Sequence, residues 1–197
     1  MWVRRAAIRP VPSFAKVPEA VLERLEEDLT NDIDEADASA TMLNEALERF
    51  ERDQPVLADH MSERVGRYKK EPTLGFGYFL MLAVYLAFER AFPGEIEEVT
   101  EITLASVEEA LTLDEEIRKI DPAEVVESDD VVAMEQPHLL QYVQEHVGAA
   151  LEAHADEVDV DEVHAIYRAV LVEVLALSYS VRPPKTNVPL DSTEFTA

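Results

Sequence analysis

Pro72-Thr-Leu-Gly-Phe-Gly-Tyr-Phe-Leu-Met-Leu-Ala-Val-Tyr-Leu-Ala-Phe88 runs for seventeen residues without a charge. Lys69, Lys70 and Glu71 precede it, and Glu89 and Arg90 follow. The length reaches the lower edge of a membrane span. Gly75, Gly77, Tyr78 and Tyr85 dilute it, however, and no second uncharged stretch of that length occurs in this highly charged chain. A segment that is apolar all round and sits among charged neighbours is expected to be the buried central helix of a soluble bundle. Pro93-Gly94 stops it.

Helical periodicity extends outward on both sides, and strand alternation is absent. Upstream, Pro18 suits a first helical position, with Leu22, Leu25 and Leu29 on one face. A second helix carries Leu43, Ala46, Leu47 and Phe50, and Pro55 opens a third with Leu57, Met61, Val65 and Tyr68 inward. Downstream, Glu95 to Ile120 reads as helical and acidic, as one helix or two, until Asp121-Pro122 breaks it. Pro137 opens another helix. The last is capped near Asp159 or Asp161, presents Val163, Ile166, Val170, Val174, Leu177 and Val181, and ends at Arg182-Pro-Pro. The expectation is one all-α domain, a compact bundle of seven or eight helices with an extended or mobile tail over 182–197.

One internal similarity organises the chain. Gln54-Pro-Val-Leu-Ala-Asp-His-Met-Ser-Glu-Arg-Val-Gly66 aligns without gaps on Gln136-Pro-His-Leu-Leu-Gln-Tyr-Val-Gln-Glu-His-Val-Gly148, with six of thirteen positions identical. Each copy precedes a strongly apolar helix. Coincidence is the bland explanation, since proline at a helix start is common. Glu63/Glu145 and Gly66/Gly148 are not demanded by helix rules. A duplication, roughly 36–94 and 115–181, would give two pseudo-symmetric halves around two central apolar helices.

The 42 Asp and Glu against 17 Lys and Arg leave a net charge of -25. Residues 95–135 alone hold fifteen acids against Arg118 and Lys119. Such a field repels phosphate backbones, so direct nucleic-acid binding is not expected. It suits solubility or a salty cytoplasm, and the five lysines against twelve arginines fit the second idea. Absent cysteines exclude disulfides, thiolate metal sites and cysteine nucleophiles. The basic opening lacks an apolar run after it, which points to a cytoplasmic rather than a secreted chain.

Chemistry-bearing constellations are sparse. Glu135 and His138 have the Glu-x-x-His spacing of di-iron bundles, and Asp161 and His164 a related one. Pro137 should place Glu135 outside the helix of His138, which spoils that geometry, so no metal and no cofactor is expected. Glu173 interrupts the apolar last helix. Helical phase puts it at the edge of the buried stripe, either paired with Arg168 or another base, or buried with a raised pKa. Arg49, Arg52, Arg64, Arg67, Lys69 and Lys70 cluster around the first Gln-Pro helix, for intramolecular pairing or for an anion or acidic partner. Leu74-Gly-Phe-Gly-Tyr follows no strand and is not a dinucleotide loop.

These features favour a non-enzymatic protein that works through its surface, binding a protein partner or itself as a homodimer, with no membrane contact. A small helical-bundle enzyme or metal protein using Glu or His is the alternative. A DNA mimic built on the acidic segment comes third.

Overall fold

The computed structural model describes residues 7–30, 36–68, 70–120, 127–153 and 158–185, with side chains of 36–39 left aside. After a 3-10 turn at Ser13–Ala15 come eight helices among these residues. They are α1 (Glu19–Thr30), α2 (Ala36–Asp53), α3 (Pro55–Val65), α4 (Glu71–Ala91), α5 (Glu101–Ile120), α6 (Ser128–Glu135), α7 (Pro137–Ala153) and α8 (Val160–Ser180). The protein is an all-α bundle around one apolar core that reaches from Ile8 to Val181. Its tail is described only to Lys185.

The uncharged stretch forms α4, whose residues Leu80 to Phe88 are all buried. Among the described residues it is the one helix whose length and composition would suit a membrane, and it lies inside the bundle. Its companion is α8, apolar over most of its length, and the two are each other's principal neighbour. They run side by side in one direction. Near their starts a Cβ on Gly77 would meet Ile166 Cδ1 at 3.2 Å and Val65 Cγ1 at 2.7 Å, so only glycine permits this approach. At their ends Ile96 bridges Val181, with Glu97 N donating to the Ser180 carbonyl and Arg182 N to that of Glu95.

The surroundings of the two central helices match. Helix α4 packs on α1, α2, α3 and α7; α8 packs on α5, α6, α7 and α3. The buried glutamines explain how the two sets are tied together. Gln54, just before α3, accepts from Val99 N at 2.7 Å and donates to the Glu97 carbonyl at 3.1 Å. Gln136, just before α7, accepts from Val17 N at 3.0 Å and donates to the Ala15 carbonyl at 2.7 Å. Each amide thus grips residues i and i−2 of an extended segment, and each segment leads into the first helix of the opposite set. Satisfying both backbone groups lets these segments enter the core without orphaned donors.

Two expectations need amending. Glu95 to Ile120 holds one helix, but it starts later than expected: 95–100 lies outside any helix and α5 begins at Glu101. The short helix α6, not anticipated as a separate element, fits between α5 and Pro137. Its start is set by Glu127 and Asp130, whose side chains satisfy each other's backbone N–H groups.

Candidate functional site

The four acids and histidines singled out as metal candidates do not converge. Glu135 ends α6 and accepts from Val11 N at 3.1 Å, holding the N-terminal segment rather than facing His138. His138 is 44% exposed and lies 3.9 Å from Glu19. His164 is exposed on the first turns of α8. Among the described residues no three His, Asp or Glu side chains gather where they could hold a metal ion.

Glu173 departs from the edge position expected of it. It is fully buried, both oxygens lack a hydrogen-bond partner, and burial pushes its pKa well above the usual carboxylate range. Arg168, its expected partner, instead bonds Glu115 at 2.8 Å and Thr112 at 2.9 Å. The edge of the stripe is itself buried because α8 is surrounded by five helices. A second buried acid, Asp114, is fully satisfied. Desolvation alone would raise its pKa, but Arg118 at 2.6 Å, Ser128 at 2.8 Å and Ala7 N at 3.0 Å hold it below the usual value.

The basic cluster is dispersed. Arg49 pairs with Glu89 at 2.7 Å and Arg52 with Asp53 at 2.8 Å. Lys70 caps the start of α4, and Lys69 lies outside the described residues. Arg64 and Arg67 take a different course. With Arg168, His60, Tyr68 and Glu108 they line a small cleft of about 100 Å³ at the corner of α3, α5 and α8, floored by Ala165, Ala169 and Val172. Glu108 serves both Arg64 at 2.8 Å and His60 at 3.6 Å. Burial lowers the His60 pKa, so its charge adds little at neutral pH. Three guanidiniums therefore line the cleft, Arg64 paired with Glu108 and Arg168 with Glu115 outside it. Two further clefts adjoin along Arg168, one with Glu109, Leu113 and Glu116, the other with Arg118, Lys119 and His164. Sequence grouping had found Arg64 and Arg67 but not Arg168, which comes from a helix a hundred residues away.

The opposite corner, of α7, α1 and α4, is built on corresponding positions with rings in place of arginines, and a cleft of about 200 Å³ runs along Glu26 and Tyr142 between α1 and α7. Counting 82 residues from His60, Arg64 and back from Glu108 gives Tyr142, His146 and Glu26; Phe79 of α4 stands where α8 has Arg168, 89 positions on. His146 lies 3.4 Å from Glu26, as Arg64 pairs with Glu108. Its ring is packed between Phe79 at 5.2 Å and Tyr142 at 4.3 Å. Rings stand in one corner where the other has arginines.

A last surface feature is the outward side of α5. Ile102 is 83% exposed, Leu113 48% and Ile120 81%, and the exposed Ala105, Glu109 and Glu116 complete the same stripe. The matched inward positions of α1 and α5 agree: Leu22 with Leu104, Leu25 with Val107, Leu29 with Leu111. The outward ones do not, since Ile102 and Ala105 correspond to Ala20 and Glu23 on α1.

No protein-family model matches the chain, no curated protein is similar to it, and no solved structure matches it. The fold defines it as an all-α helical bundle.

Proposed function

We propose that the chain is a non-enzymatic, cytoplasmic protein-interaction module and that the outward side of α5 is the surface it offers. The observation that carries this reading is the contrast between α5 and α1. Both helices bury the same pattern against the same kind of central helix, so packing does not require Ile102 to be apolar. Large exposed apolar side chains that the fold does not use are suited to a partner. The buried polar groups support the reading too, because Gln54, Gln136 and Asp114 are engaged in holding the chain to itself. The partner is another protein or a second copy of the chain.

A photo-cross-linking side chain at position 102, compared with one at position 20, tests this in the native cell. The expected result is a discrete protein adduct at 102 and none at 20. An adduct consisting of two copies of this chain would identify self-association. Equal or absent labelling at both positions would contradict the proposal.

A duplicated origin is favoured by the two glutamine clasps. Their reciprocity is what a twofold relation between halves demands: each half's amide holds the other half's entry segment. The correspondence reaches further upstream than the Gln-Pro segments, since Val17-Pro-Glu-Ala-Val-Leu22 and Val99-Thr-Glu-Ile-Thr-Leu104 share the offset of 82. On this reading the halves run from about Ala15 to Ala91 and from about Glu97 to Ser180.

A further inference from the structure

We propose that the corner cleft between α3, α5 and α8 binds a small oxyanion, the phosphate or carboxylate group of a metabolite, between the guanidiniums of Arg64, Arg67 and Arg168. Two independent observations meet here. The first is charge. In a chain of net charge -25, Arg64, Arg67 and Arg168 line one small cleft; Arg64 is paired with Glu108 and Arg168 with Glu115, which leaves one guanidinium in excess of the carboxylates that pair with the three. Arg67 has no carboxylate partner among the described residues; its Nε reaches only the Glu63 carbonyl, at 3.5 Å. Placing like charges together costs free energy unless an anion joins them, and guanidinium forks match the geometry of phosphate and carboxylate oxygens.

The second observation is the matched corner on the other side of the molecule. There Phe79, Tyr142 and His146 occupy the positions of Arg168, His60 and Arg64, and the Glu pairing to the α7 position is kept. The bundle therefore folds with packed rings at these positions, so the arginines at 64 and 168 are not a requirement of packing. The volume of about 100 Å³ admits one oxyanion group, and the adjoining cleft along Thr112, Leu113 and Glu116 leaves space for the rest of a ligand. The acidic field of the whole molecule opposes anion approach, but it is screened beyond about 8 Å at physiological ionic strength, whereas the guanidiniums act in contact.

Isothermal titration of the full chain with inorganic phosphate, and separately with succinate, at constant ionic strength tests the site. Saturable binding of either probe is expected, and which one binds distinguishes the phosphate from the carboxylate source. Arg67→Gln breaks no ion pair and should weaken binding about tenfold, the loss of about 1.4 kcal/mol. Arg168→Phe, which copies the residue at the matched position of α4, should abolish it, and far-ultraviolet circular dichroism confirms that both variants fold. Failure of both probes to saturate at about 10 mM, where a millimolar site is largely filled, would overturn the proposal. So would undiminished binding by Arg67→Gln and Arg168→Phe.

Discussion

Asp114→Ala is expected to destabilise the protein by about 3–5 kcal/mol, the usual cost of stripping one partner from a buried ion pair. Asp114 is inaccessible to solvent, and Arg118 is 11% exposed, so water cannot replace the lost carboxylate. The Ser128 hydroxyl and the Ala7 N–H would lose their acceptor, and the Arg118 guanidinium its buried carboxylate. These tie the C-terminal half of α5 to the first turn of α6 and to the N-terminal segment, so the loss spans three parts of the chain. At ~2–4 °C per kcal/mol for a chain of this size, the melting temperature falls by about 10 °C. The pH dependence has a definite sign. Because the folded pKa lies below the unfolded one, the stabilisation is present above about pH 4 and is lost as pH falls through the folded value. Thermal unfolding of wild type and Asp114→Asn across pH 2–7 checks it. The gap between them should close at the acid end, and a gap independent of pH would refute the assignment.

Glu173→Leu is expected to act in the opposite direction, stabilising the protein by about 1–3 kcal/mol, the mutational cost of a buried polar group without a partner. The side chain lies among Val170, Val174 and Leu177 on α8, and the matched position on α4 is Val84, buried like its surroundings. One half of the molecule thus already carries an apolar residue there. Leucine is close to glutamate in volume, so no large cavity opens. Here the folded pKa is raised, so the unfolded chain gives up its proton first. The penalty of keeping Glu173 is absent below about pH 4 and grows as pH rises toward the folded value, where it levels off. Chemical denaturation at pH 4 and pH 8 should show the advantage of the leucine variant widening with pH. A destabilised variant would mean that Glu173 has a partner in the folded protein, and would reopen the enzyme reading in which an inward acid does chemistry.

Much of the helix order was legible because each helix carries its own period. Prolines at 55 and 137 marked starts, and the uncharged stretch marked the centre. Glu173 was misplaced because phase alone assumes a helix with one wet side, and α8 has none to spare. Helix α6 was missed because eight residues are too few for a periodic pattern to declare itself. The arginine corner was only half visible. Arg64 and Arg67 are neighbours in sequence, but Arg168 belongs to them only through the packing of α3 against α8. Its counterpart Phe79 was hidden by the greater length of α7, 17 residues against 11 in α3, which accounts for most of the shift in offset from 82 to 89 and ends a gapless alignment at Gly148. The signal that would have extended the similarity upstream, valine, glutamate and leucine at 17, 19, 22 and 99, 101, 104, was present but short.

The central claim is that the halves agree where the fold needs them to and differ where the protein meets something else. The triple variant Ile102→Ala, Ala105→Glu, Leu113→Asn gives α5 the outward residues of α1 at two positions, Ala20 and Glu23, and removes the exposed apolar side chain at a third. Its melting temperature is the measurement to make. The account predicts a value within about 2 °C of wild type, as for surface changes generally. A fall of about 10 °C, the scale of a core substitution, would show that this face belongs to the packing of the fold and offers nothing to a partner.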